Sequence, residues 1–421
     1  MLQLQEDTKI DPYLWLEEVE GERALSWVRE QNAITLAELH ADPRFDQFES
    51  EALAIYEAKD RLVYGKIRGD FIYNFWRDEV HIRGIWRRSP LQQYLDGKPV
   101  WDVIIDIDAL AEAENENWVY KGVSGLPPTY NRFLIELSRG GKDAVVVREF
   151  DISTRSFIED GFYVAEEKST VSWINEDQVF VATDFGPGSM TESGYAASVK
   201  VWIRGEDLAE SPELARVDTK DVGTWGWTVF TAERNYSLIS KSKDFWTHEI
   251  LLLDENMGTT KIELPIDADL KGVWKDQAFA ILRSDWMGSS KGSLIALDLA
   301  SNQKTNVFVP NTKSSILSVD FSSSYLLLTI QEDVVDKVLR GVLKDNLWVL
   351  EDLNLPQGGT IYINGANPLN DNFFYTYNDL ITPTTLGYFE DAMADLKVIR
   401  QSPARYDSEN LEVNQKFATS K

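Results

Sequence analysis

The chain has 421 residues, more than one ordinary compact core holds, so two to three domains or one large repeat architecture are expected. Hydrophobic residues make up 43% and aromatic ones 12%, with 14 Trp, which argues against disorder over most of the length. A net charge of −27 argues against a nucleic-acid or anionic-membrane partner, and the absence of cysteine excludes disulfides, a thiolate nucleophile and a zinc–thiolate site.

The opening MLQLQEDTKIDPYLW carries acids where a secretory leader needs a basic start and an apolar run. No stretch approaches the ~18 apolar residues of a membrane span. A cytoplasmic location is the expectation. The first 60 residues hold 15 acids against 5 bases. Two helical patterns follow. In 21–40, apolar residues recur at Leu25, Val28, Leu36 and Leu39, with Trp27 beside them. Asp42-Pro43 then supplies a cap and a first-turn proline for a second helix carrying Phe45, Phe48, Ala52 and Ile55.

From Asp60 the apolar period changes to two. Short runs such as FIYNFW, DAVVVREF, DQVFVAT, HEILLLD, SLIALDL and SYLLLTI are separated by Gly, Asn, Asp and Pro. Helix is expected only near Ile107–Glu114, 206–214 and 334–338. One ending recurs, an apolar strand closed by an acid or turn residue, reaching Ser89, Asp151, Gly205, Asp254, Asp298, Asp352 and Asp391. A spacing of roughly 40–60 residues is a propeller blade. The expected fold is all-β: a seven-bladed β-propeller with a short N-terminal helical arm, each ending read as an outer strand. The repeats are weak enough to leave six or eight blades open. The expected domains are an arm at 1–59, a propeller at 60–405 and a linker at 406–421. Neither terminus offers an obvious strand to close the ring, beyond one short strand near 411–417, so the first and last blades are expected to meet through side chains.

The segment DPYLWLEEVEGERALSWVREQN resembles the opening of the prolyl oligopeptidase family, an Asp-Pro-Tyr-x-Trp-Leu-Glu motif (Asp11, Pro12, Tyr13, Trp15, Leu16, Glu17) before a helix with Ala24, Trp27 and Val28. GDFIYNFWRDEVHIRGIWRR is similar to that family's first blade, and 411–421 to the strand and linker before its hydrolase domain. The resemblance implies the non-catalytic part of a cytosolic serine peptidase that cuts short peptides after proline. Its propeller would gate an α/β-hydrolase domain, the helical arm would pack on that domain, and the chain would stop in the linker and be inactive alone. With that domain absent, the arm's apolar stripe is expected to fray or to find another partner, such as a second copy of the chain.

The chemistry within the chain is sparse. Gly288, Ser290 and Gly292 match a Gly-x-Ser-x-Gly elbow, but the next residues, SLIALD, read as a strand, so no helix follows the serine. Of three histidines, His40, His81 and His248, none follows Ser290, so the hydrolase order of Ser, Asp and His fails. No catalytic residue, cofactor or metal ligand is expected here. Asp267-Ala-Asp269-Leu-Lys271-Gly272 starts like a calcium loop, but Lys271 and Ala278 replace oxygen ligands, leaving a turn. Glu112, Glu114 and Glu116 read as a solvated charge run. The eight bases of 61–100 read as an outer strand with a solvated basic face, or as a patch that docks the acidic arm or the hydrolase domain. The Gly/Ser-rich segment 184–194 is longer than a hairpin needs. Its Asp184, Phe185, Gly186, Ser189, Thr191 and Ser193 are the candidate propeller-mouth loop, against an ordinary surface loop. Two other functions compete: a free-standing peptide- or protein-binding propeller, and a propeller glycosidase or lactonase with carboxylates at one mouth.

Overall fold

The computed structural model describes residues 11–345, 347–366, 368–390 and 396–419. The acidic start, the Asp391 ending and the last two residues of the expected linker lie outside them. The chain divides into two compact units, Met1–Arg61 and Leu62–Lys421.

The first unit is helical. A 3₁₀ turn, Leu14–Glu17, leads to α1 (Glu22–His40) and α2 (Phe45–Tyr56). The opening motif folds on itself. Trp15 meets Trp27 edge-on at 6.4 Å and takes the Arg23 guanidinium 4.0 Å above its ring. Ala24, on the same helix, is buried. Asp42 accepts the Arg44 backbone N–H at 2.9 Å, so the corner is an Asx turn and α2 starts two residues after Pro43. Leu25, Val28, Leu36, Leu39, Phe48 and Ile55 are exposed.

The second unit is a seven-bladed propeller. Its described residues form seven antiparallel sheets, each with its strands in sequence order. Blade 1 contains Lys66–Arg68, Phe71–Trp76, Ile85–Pro90 and Asp102–Asp106. Blade 2 runs from Trp118–Gly125 to Ser156–Phe157, with a fifth strand, Tyr163–Glu167, on its third. Blades 3 to 7 begin at Thr170–Asn175, Gly223–Val229, Asp269–Trp274, Ser314–Phe321 and Thr360–Asn364. From blade 3 to blade 6 the first strands touch one another in succession, as the inner strands around a channel do. Second strands are apolar nearly throughout, because a blade is covered on both faces by its neighbours.

Four expectations change. The recurring ending is the third strand in six blades, and only Asp352 closes a fourth strand. Several fourth strands are short and polar, as in Ser156–Phe157 and Thr259–Lys261, and leave no apolar signature there. The helix expected at 206–214 is a 3₁₀ turn, Leu208–Glu210, followed by strand Glu213–Arg216. The helix expected at 334–338 is strand: Asp333 and Val334 both have positive φ and make a two-residue hairpin into Val335–Lys344. The short strand expected near 411–417 is irregular chain. The helix at Ile107–Glu114 is present, capped by Asp106 on Ala109 N–H at 3.1 Å.

Blade 7 and blade 1 each keep their own four strands, and among the described residues no strand is shared. They meet through an apolar cluster that includes Ile67, Ile72, Tyr94, Phe374, Leu386 and Tyr388.

Candidate functional site at the propeller mouth

Antiparallel order fixes which loops share a face. If first strands run up, then first-to-second and third-to-fourth turns lie above, and second-to-third loops and the crossovers between blades lie below. The chain enters blade 1 and leaves blade 7 on that lower face. The tail confirms the grouping. The Tyr406 hydroxyl reaches the Leu380 carbonyl, and Ser408 Oγ donates to the Ile381 carbonyl at 3.3 Å. Gln415 then donates to the Asp333 carbonyl, and Lys313 Nζ lies 5.4 Å from the Phe417 ring centroid. The tail therefore tracks blade 7, then blade 6, then the crossover from blade 5.

This chain-end face is apolar at its tips. Val80, Ile82, Phe245, Trp246, Met287, Val334 and Leu380 are all exposed on its second-to-third loops. On the opposite face, the turns expose Val100 and Leu347 among the described large apolar residues. Phe245 and Trp246 are 73% and 67% exposed. Asp244 presents them, accepting the backbone N–H groups of Trp246 and Thr247, both at 2.7 Å. An exposed aromatic tip held up by an Asx turn makes this face the candidate contact surface.

The segment 184–194 is the second-to-third loop of blade 3 and lies on the same face. It is pinned, not loose. The Ser189 hydroxyl lies 2.7 Å from Asp184 Oδ1 and accepts the Phe185 N–H at 2.8 Å. Asp184 also accepts the Gly186 N–H at 2.7 Å. The Ser189 and then the Gly186 hydrogen bond hold the Asp184 carboxyl below its usual range. Thr191 Oγ1 donates to the Val222 carbonyl at 2.8 Å, tying the loop to the start of blade 4. Phe185 is half-buried under Lys200, whose Nζ is 4.8 Å from the ring centroid, while Gly186 and Ser193 are exposed.

Beside this loop a cavity of about 480 Å³ opens between blades 3, 4 and 5. Tyr195, Trp225, Trp227, Phe245, His248 and Leu270 contribute to its lining. The sequence reading did not single out these aromatics. The available signal was Trp225 and Trp227 two apart on one strand face, with a Phe-Trp pair in the next hairpin loop.

The remaining candidates have structural partners. Ser290 sits in a hairpin that runs directly into strand Leu294–Asp298, with its Oγ 3.2 Å from Ser293 Oγ. The imidazoles are engaged elsewhere: His81 with Asp78 at 2.9 Å, His248 with the Ala268 carbonyl at 3.1 Å, and His40 with the Phe45 ring at 4.2 Å. Asp269 pairs with Lys271 at 3.0 Å and Arg283 at 3.5 Å. Glu114 and Glu116 are not a solvated run. They take Arg148 and Arg139 of blade 2, and Glu114 also accepts Trp118 Nε1 at 2.8 Å. Nor are the bases of 61–100 one solvated face: Arg61, Lys66, Arg77 and Lys98 are exposed, and others are not. Arg87 lies between the Trp76 and Trp101 rings at 4.6 and 4.3 Å, Arg88 covers Phe71 at 4.3 Å, and Arg83 bonds Asn117 and the Trp118 carbonyl. Aromatic neighbours took these cations into the blade.

Comparison with known proteins agrees with this architecture. The family model described as the N-terminal beta-propeller domain of prolyl oligopeptidase matches residues 1–402. An uncharacterised peptidase of Sinorhizobium fredii is 34% identical over 98% of this chain and 59% of its own length. One from Rickettsia prowazekii is 32% identical over 96% of this chain and 60% of its own. The solved structure of a post-proline cleaving enzyme from Rickettsia typhi superposes with a TM-score of 0.87 at 29% identity, covering 95% of this chain and 62% of that one. The chain thus spans about 60% of the length of these relatives, and it belongs to the prolyl oligopeptidase family, as that family's N-terminal β-propeller domain.

Proposed function

We propose that this chain is the substrate-gating and scaffolding propeller of a cytoplasmic serine peptidase that cleaves short peptides after proline. The Ser-Asp-His triad would lie in an α/β-hydrolase domain carried by the further length that such proteins have. In this reading residues 1–59 are an arm that packs on the hydrolase domain, 60–405 are the propeller and 406–421 are the linker. The observation that carries the proposal is the gathering of exposed apolar tips, Phe245 and Trp246 foremost, on the face where the propeller's chain begins and ends. A covalently attached domain reaches that face first. The 184–193 loop then lines the gap between propeller and active site, where it limits peptide length.

The test uses benzyloxycarbonyl-Gly-Pro-p-nitroanilide. The 421-residue chain alone should not turn it over, because it offers no serine with a hydrolase elbow and a following histidine. Turnover abolished by Ser290→Ala would assign the chemistry to the 288–292 hairpin and overturn this reading. The same chain joined to its hydrolase domain should cleave. Deleting Gly186–Ser193 from the joined protein should extend cleavage to longer peptides, and an unchanged length limit would remove the loop from the gate.

The aromatic cavity favours a second reading, a propeller that binds peptides without cutting them. It predicts peptide binding to the isolated chain that Trp225→Ala abolishes, with no cleavage when the hydrolase domain is attached.

A further inference from the structure

A nearly buried guanidinium without a carboxylate partner stands between blades 1 and 2. Arg68 ends the first strand of blade 1 and is 9% exposed. It donates to the Val123 carbonyl on the first strand of blade 2 at 3.2 Å. Its guanidinium carbon lies 5.4 Å from the ring centroids of both Tyr73 and Phe133. No carboxylate of the described residues is ion-paired with it. A guanidinium has five N–H donors, so a single carbonyl leaves most of them unused. Desolvating a cation is costly unless an anion or hydrogen bonds compensate, and two rings at this distance compensate only in part.

Two phenols pack against the apolar cluster that holds Tyr73 and Phe133, the rings beside Arg68. Tyr130, with positive φ at the first-to-second loop of blade 2, packs against Gly125 and Phe133, the residue whose ring Arg68 covers. Tyr120 stacks on Phe75 at 4.2 Å in the same core. Among the described residues neither hydroxyl has a hydrogen-bond partner, and neither is sealed from solvent. Burial pushes both phenols up, which keeps them donors. Glu136 is paired across the strands with Gly122, and burial pushes its carboxyl up too. Arg68 and Tyr130 both adjoin first-to-second turns, on the face away from the chain ends, and Tyr120 stands further down the first strand of blade 2.

We propose that this corner is a carboxylate-binding site, with Arg68 supplying the charge and the Tyr120 and Tyr130 hydroxyls two further donors, suited to the free α-carboxylate of a peptide. The inference stands on these side chains and holds whether or not the protein is a peptidase. Calorimetric titration of the 421-residue chain tests it with three probes: Gly-Ala-Gly-Ala-Gly as free acid, its C-terminal amide, and sodium acetate. A charge-assisted site should favour the free acid over the amide by about tenfold or more. Arg68→Gln should erase that preference, and Tyr120→Phe with Tyr130→Phe should weaken it several-fold while keeping both rings. Acetate competing with the free acid would assign the site to any small carboxylate, and no competition would assign it to peptide ends; both support the site. Equal binding of acid and amide, no binding of either, or a preference that survives Arg68→Gln overturns it. Should Arg68→Gln fail to fold, an acid preference unchanged in the double tyrosine variant overturns it instead.

Discussion

Glu149 shows how much one buried charge contributes at a blade junction. Its side chain is 0% exposed, on the third strand of blade 2. Arg204, just past the third strand of blade 3, clasps it with bonds of 2.8 and 3.0 Å, and the Phe162 N–H adds a third at 2.9 Å. Removing one partner strands the other in low dielectric. Arg204→Met should therefore cost about 3–5 kcal/mol in urea denaturation, because it orphans the fully buried carboxylate. Replacing both together, Glu149→Leu with Arg204→Met, should cost clearly less than Arg204→Met alone. If the double variant is the less stable one, the pair is a net stabiliser beyond its own desolvation. None of this was legible in the sequence. Glu149 sits 55 residues from Arg204, and its position in VVVREFD reads as an ordinary outward-facing acid.

At the scale of elements, the repeat was legible and its phase was not. The acid that closes an apolar strand does a specific job: Asp151 accepts the Ser153 and Thr154 N–H groups, Asp254 those of Asn256 and Gly258, and Asp298 those of Ala300 and Ser301. Each starts the third-to-fourth turn as an Asx turn. The motif was taken for a blade's end because the fourth strand behind it is too short and polar to register. For Asp298, the Ser301 backbone and side-chain bonds hold the carboxyl below its usual range. A depressed folded pKa means stability that is complete above the unfolded value of about 3.9 and lost as pH falls through the folded one. Asp298→Asn should thus be less stable than the parent at pH 7, by at most about 1 kcal/mol at so exposed a site, and the gap should shrink as pH falls below about 3.9. Paired urea titrations above and below that pH check this. Close approach between blades is a second element-scale constraint. A Cβ on Gly226 would fall 2.5 Å from the Phe180 ring, so Gly226→Ala should cost about 1–3 kcal/mol by forcing blades 3 and 4 apart.

At the scale of the whole molecule, ring closure decides where the propeller is weakest. Other junctions carry hydrogen bonds between blades: Arg68 to the Val123 carbonyl, Trp173 Nε1 to the Ser124 carbonyl, Ser172 to the Gly226 carbonyl, and Asp336 to the Ile361 N–H. Among the described residues the seam between blades 7 and 1 rests on packing and one long ion pair, Lys397 with Asp96 at 4.0 Å, in keeping with the expectation of side-chain contact, and Tyr94 is its centre. Fully buried, Tyr94 meets Phe374 edge-on at 5.8 Å and Trp101 at 6.3 Å, lies under the Arg400 guanidinium, and donates its hydroxyl to the Val63 carbonyl at 2.5 Å. One side chain thus joins blade 7, the third-to-fourth connection of blade 1 and the chain leading into that blade. Tyr94→Ala should cost about 3–5 kcal/mol, as a large buried ring lost from a core does. Its signature should also be local. Hydrogen exchange should accelerate first in Phe71–Trp76 and Phe373–Asn378, the second strands on either side of the seam, and last in Gly223–Val229 across the ring. Tyr94→Phe keeps the ring and loses only the bond to Val63, so it should shift exchange far less. Acceleration spread evenly over all seven blades would mean that the ring unfolds as one unit and that the seam is no weaker than the other junctions.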